Sequence, residues 1–150
     1  MNLELYESTW VAMSVGLSLI IGFVAFVVMM NGKNKDDKNN DDKTMNKKTI
    51  YIAGPMAGLP DNNFEAFDAA EIKLQNQGWF VVNPHDFDKV FGENPTGKLL
   101  DAVCEAERAA IPFLDAIYLL KGWEKSKGAK RELLVALQHD LEVIVEGAEP

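Results

Sequence analysis

The sequence predicts an α/β domain built on a parallel sheet, and two observations carry that prediction. Short apolar runs alternate in strict order with segments of helical periodicity over residues 47–150, the pattern that parallel strands with right-handed crossovers require. The runs are also continuously apolar, as in strands covered on both faces, and do not alternate polar with apolar.

The elements follow in order. Residues 49–54 (TIYIAG) form the first strand. Asn62 reads as an N-cap, with Glu65 reaching back in a capping box. Phe64, Phe67, Glu71 and Leu74 then recur near helical spacing, and Gly78 stops the helix. Residues 79–83 (WFVVN) form a second strand that Pro84 ends, and 86–95 is loop. A second helix covers 96–111 and stops at Pro112; 116–120 (AIYLL) is the third strand. A third helix covers 128–139, and 142–146 (EVIVE) is the fourth strand. Ligands in such sheets bind at the carboxyl ends of the strands, so the loops after Gly54, Asn83 and Leu120 are expected to line the site.

Upstream of this domain the composition differs. Residues 10–30 hold no charged side chain over 21 positions, long enough to cross a hydrocarbon core of about 30 Å. Tyr6 and Trp10 stand at its edge, where amphipathic aromatics favour the interface. No Lys or Arg precedes the run and no small-residue cleavage site follows, which argues against a signal peptide. Lys33, Lys35, Lys38 and Lys43 lie just beyond it, so the positive-inside bias puts residues 1–9 outside and the C-terminal domain in the cytoplasm. Residues 31–46 carry almost no apolar side chain and read as a flexible tether.

The chain of 150 residues has a net charge of −8, and residues 47–150 alone hold 11 Lys/Arg against 17 Asp/Glu. That balance argues against a nucleic-acid polymer as partner, since such binding runs on cations that neutralise phosphates. A single small anion held by backbone amides remains compatible with it. Cys104 is the only cysteine, and His85 and His139 stand single and unsupported, so neither a disulfide nor a metal-ligand spacing is present. No metal and no organic cofactor is expected.

The strongest local feature is the segment SKGAKRE from Ser126 to Glu132, which follows a strand and opens a helix. Free amides and the helix dipole bind anions at such a point, and Gly128 permits close backbone approach. Ala129, Leu133, Ala136 and Leu137 form the inward stripe of that helix, and Glu132 falls on it. A carboxylate there either has a partner or a task, or sits at the stripe's edge and reaches water. Glu107 is a second carboxylate on an apolar stripe, with Leu100, Val103 and Ala110; the pattern by itself favours an exposed position. Two carboxylates in different environments suit nucleophile and acid/base roles at a glycosidic carbon. Asp115 stands at the start of a strand, the wrong end for catalysis, and reads as structural. Trp123 suits stacking on a base and packing equally well. Gly54-Pro55-Met56-Ala57-Gly58 matches neither a dinucleotide fingerprint nor a P-loop.

KKTIYIAGPM at the first strand, NP after the second, and DAIYLLKGWEKSKGAKRE together resemble the nucleoside 2-deoxyribosyltransferase superfamily, most of all an uncharacterised branch found in phages and bacteria. The resemblance implies a flavodoxin-like domain with strand order 2-1-3-4. It implies Glu132 as the nucleophile that attacks the anomeric carbon, Tyr51 as its hydrogen-bonding partner, and Glu107 as acid/base, where the family usually has Asp. The loop of Gly54 and Met56 would border the base. The residue six before the nucleophile faces the 5′ position; it is typically Asp in transferases that use free nucleosides and Ser in 5′-monophosphate hydrolases, and here it is Ser126. The resemblance also implies a homo-oligomer, because members commonly take a contact from a neighbouring subunit beyond the fourth strand. With Pro150 soon after that strand, a more open site or a substitute segment is expected.

The expected protein is thus a membrane-anchored N-glycosidase or deoxyribosyltransferase for a (deoxy)nucleoside 5′-monophosphate. Its substrate contacts would be Gly54, Met56, Asn83, Trp123, Ser126 and Gly128. The alternative is a nucleotide sensor that keeps the pocket without turnover.

Overall fold

A computed structural model describes Gly22 and residues 48–86 and 98–148, with the backbone alone at 98–103. The expected span at 10–30, apart from Gly22, and the tether at 31–46 lie outside the described residues. Among the described residues no helix is long and apolar enough to cross a membrane.

Four strands form one parallel sheet in the order β2-β1-β3-β4. They are β1 (Thr49–Ala53), β2 (Phe80–Val82), β3 (Ala116–Leu119) and β4 (Glu142–Val145). Between them run α1 (Phe64–Asn76), α2 (Lys98–Ala110) and α3 (Lys127–Gln138). Both β1 and β3 are buried at every residue, as continuous apolar strands in the middle of a sheet should be. The register pairs Tyr51 with Val82 on one side and with Ile117 on the other.

Two cores flank the sheet. On one face Ile50, Ile52 and Tyr118 pack with Phe67, Ala70 and Leu74 of α1. On the other Tyr51, Val82, Ile117 and Leu119 pack with Ala129 and Ala136 of α3 and with Ile111, in the turn after α2. Asp115 ties the amino ends of β1 and β3 together: its Oδ2 accepts from the Thr49 amide at 2.7 Å and from the Thr49 hydroxyl at 2.8 Å. That is the structural role its place at the strand start suggested.

Three expectations are corrected. No capping box opens α1. Asp61, Asn62 and Asn63 occupy left-handed backbone (φ 46°, 47° and 62°), inside and just after a 3₁₀ turn at Pro60–Asn63, and α1 begins only at Phe64. A capping side chain needs extended backbone at its own residue. Asn63 spends its side chain elsewhere, donating from Nδ2 to the Pro55 carbonyl at 3.0 Å. Leu137 is not part of the inward stripe of α3; it is 56% exposed, like Leu134. The buried arc of α3 is narrow because its centre is the two small residues Ala129 and Ala136. His85 is not unsupported: its Nδ1 lies 2.6 Å from Asp68 Oδ1, and its ring stacks on Phe64 at 3.8 Å.

Candidate functional site

The site forms on the face of the sheet that α3 covers. Tyr51 is the middle residue of the central strand β1 and is fully buried. α3 starts where Ser126, in extended backbone, accepts from the Ala129 amide with its hydroxyl at 3.2 Å, an N-cap in the ordinary sense. Ala129 has no exposed surface and lets the helix lie close on the sheet. Glu132 comes three residues later, at the height of Tyr51. The Tyr51 hydroxyl donates to Glu132 Oε1 at 3.2 Å.

Glu107, near the end of α2, is 8% exposed. The pattern favoured an exposed position, and burial overturns it: a helical stripe shows which residues share a face but not how far the packing reaches around it. Its charge is felt at Tyr51. Burial is the largest cause holding the phenol well above its ordinary pKa, and the charges of Glu107 and Glu132 follow in that order. Tyr51 therefore stays protonated and remains a donor at any working pH.

Glu132 is half-buried as a residue, but its carboxylate turns inward to Tyr51. Desolvation raises its pKa to about 7, while the Tyr51 hydrogen bond and the charge of Arg108 pull it down. Arg108 was not anticipated. Its guanidinium donates to Glu105 Oε1 at 2.6 Å one turn back on α2. Desolvation works against that charge, but the Glu105 bond and the nearby Glu105, Cys104 and Glu132 outweigh it and raise the Arg108 pKa. The i, i+3 spacing of Glu105 and Arg108 is visible in the sequence; the approach of Arg108 to Glu132 from another helix is not.

The remaining candidates separate by role. Ser126 and Gly128 stand at the start of α3, where the amides of Lys127 and Gly128 belong to the first-turn donors that a helix leaves without an internal partner. A Cβ at Gly128 would make only ordinary contact, 3.7 Å from Ser126 Oγ, so the fold itself does not require glycine there. Trp123 is half-buried and packs against the Tyr51 core. Met56 packs against the opposite core. Gly54 serves close packing, since a Cβ there would lie 2.7 Å from Leu120 Cδ1. Asn83, 1% exposed, donates to Glu71 Oε2 at 2.8 Å and accepts from the His85 amide at 3.0 Å. Tyr51, Glu132 and Glu107 thus converge, Ser126 and Gly128 lie between one and two helical turns away, and Gly54, Met56 and Asn83 are tied into the loops beyond β1 and β2.

Among the described residues no cluster of His, Cys, Asp or Glu is arranged to hold a metal ion. The chemistry available is that of a desolvated carboxylate with a phenol donor and a second buried carboxylate close by.

Fold and site define an α/β domain with an acid–phenol pair at the centre of its sheet. Residues 48–145 match the family described as "Domain of unknown function (DUF4406)", and the chain belongs to that family. No curated protein matches the chain.

Proposed function

We propose that the chain is a membrane-anchored enzyme that cleaves the N-glycosidic bond of a (deoxy)nucleoside 5′-monophosphate, as its resemblance to the nucleoside 2-deoxyribosyltransferases implies. The observation that carries the reading is the 3.2 Å hydrogen bond from Tyr51 to Glu132, with Glu107 buried close by. In the first step Glu132 attacks C1′. The C1′–N bond breaks, its electron pair leaves with the base, and Glu107 donates the proton the base needs. In the second step Glu107 takes a proton from water as the oxygen attacks C1′ and releases Glu132. A second base in place of water makes the same chemistry a transfer. Tyr51 holds the carboxylate oxygen that is not attacking.

The 5′ end of the substrate would rest at the start of α3. Ser126 Oγ accepts from Ala129, but a hydroxyl also has a proton to donate, and the first-turn amides and dipole favour an anion. Glu132 lies six residues further, about 9 Å along the axis, which leaves room for a furanose between phosphate and carboxylate. In this reading residues 10–30 anchor the domain on the cytoplasmic face, and the protein assembles with copies of itself.

The test is to incubate the full chain, in detergent, with a panel of nucleosides and their monophosphates and to measure free base. Release from a deoxynucleoside monophosphate is expected. Binding of monophosphates with no release and no covalent adduct would instead describe a nucleotide sensor.

A further inference from the structure

The solvent face of α3 has no part in the chemistry above, yet its composition is unlike the rest of the domain. Five of the 11 Lys/Arg of residues 47–150 fall between Lys121 and Arg131. On α3 itself Lys127, Lys130, Arg131 and Gln138 are exposed, and Leu134 and Leu137 are each 56% exposed. At 100° per residue these six side chains fit within about 120° of arc, opposite the buried Ala129 and Ala136. The only acidic residue of α3 is Glu132, and it turns inward to Tyr51. The flanking acids Glu124 and Asp140 lie beyond the two ends of the helix. The turn Ile111–Phe113 packs against α3, and its Phe113 is 44% exposed.

We infer that this face of α3 docks on an anionic bilayer surface. Cations over the first turns and aliphatic side chains over the last are what an interfacial helix presents to lipid headgroups and the acyl boundary. In a chain of net charge −8, such a face is where, among the described residues, cations gather enough to attract a negative surface. Three cations near an anionic leaflet raise binding on the order of 100-fold, and salt weakens that. The inference rests on the membrane reading of residues 10–30 only for local concentration: a 16-residue tether keeps the domain within roughly 20–25 Å of the bilayer. Docked in this way, the helix that carries Glu132 has its outer side on lipid and its inner side on the site.

The experiment uses the full chain with Gln138→Cys in a Cys104→Ser background, labelled with a polarity-sensitive fluorophore. It is mixed with vesicles of phosphatidylcholine alone or of phosphatidylcholine with phosphatidylglycerol, and flotation is followed in parallel. The expected result is a blue shift with the anionic vesicles only, lost in Lys127→Glu/Lys130→Glu/Arg131→Glu and at high salt. An equal shift with both vesicles, or one that grows with protein concentration in detergent, would overturn the inference and assign the face to a second copy of the chain. Failure to float with neutral vesicles would count against the span at 10–30 alone. Flotation with anionic vesicles that the triple variant loses would then still support the face, and its absence would overturn it.

Discussion

Tyr51, in the middle of the central strand, and Glu132, on the helix after the third strand, are 81 residues apart and joined by a 3.2 Å hydrogen bond from phenol to carboxylate. That bond spans the layer between sheet and helix, and it sits in a place dry enough to raise the Glu132 pKa to about 7. A surface glutamate has no need of such a partner. A glutamate that must be ionised, held in one orientation and kept from water does.

The raised pKa has a signature in stability. Glu132 binds its proton more tightly folded than unfolded, so its contribution is full below about 4.5 and is lost as pH rises through about 7. The loss is about 3 kcal/mol at most, since each pKa unit is worth about 1.4 kcal/mol. Glu132→Gln should flatten that decline and melt higher than the parent above neutral pH. Denaturant unfolding at a series of pH values measures it, and parallel curves for the two proteins would contradict the assigned environment.

Tyr51→Phe should slow turnover by about 10- to 150-fold, the worth of one hydrogen bond to a charged group. It should also move the rising limb of the pH–rate profile to higher pH, because the phenol lowers the pKa of Glu132. A slower enzyme with an unmoved limb would give Tyr51 a packing role only.

Glu107→Gln should harm substrates with poor leaving bases most, since a general acid matters in proportion to the leaving group's need for a proton. Rates across bases of graded acidity are the measurement. A uniform loss would make Glu107 structural.

Ser126→Asp should reverse a preference for monophosphates over nucleosides. An Asp repels a phosphate dianion at short range and accepts from a 5′-hydroxyl, yet it caps the helix as well as Ser does. Competition binding with a monophosphate and its nucleoside decides; equal affinities in both proteins would leave Ser126 as the cap it visibly is.

Much of this was legible in the sequence, and the exceptions have physical reasons. The parallel sheet followed from alternation. The strand order 2-1-3-4, which the structure shows, came from the family resemblance, because alternation alone does not fix which strands are neighbours. Glu132 was visible as a carboxylate on an apolar stripe, and Asp115 as a structural residue at a strand start. The burial of Glu107 was hidden, because its stripe reads the same on a half-covered helix. The start of α1 was misplaced because Asn62 suits both a cap and left-handed backbone, and the structure uses the second. The pairing of His85 with Asp68 and Phe64 joins residues across the return from α1 to β2, which local spacing cannot show.

The central claim is that Glu132 forms a bond to the sugar. Its most direct test is the intact mass of the full chain, quenched in acid during turnover of a deoxynucleoside monophosphate, followed by peptide mapping. A mass gain equal to the sugar phosphate less one water is expected on the peptide that contains Glu132, absent in Glu132→Ala, which also releases no base. Base release that persists in Glu132→Ala, or an adduct on another residue, would contradict it.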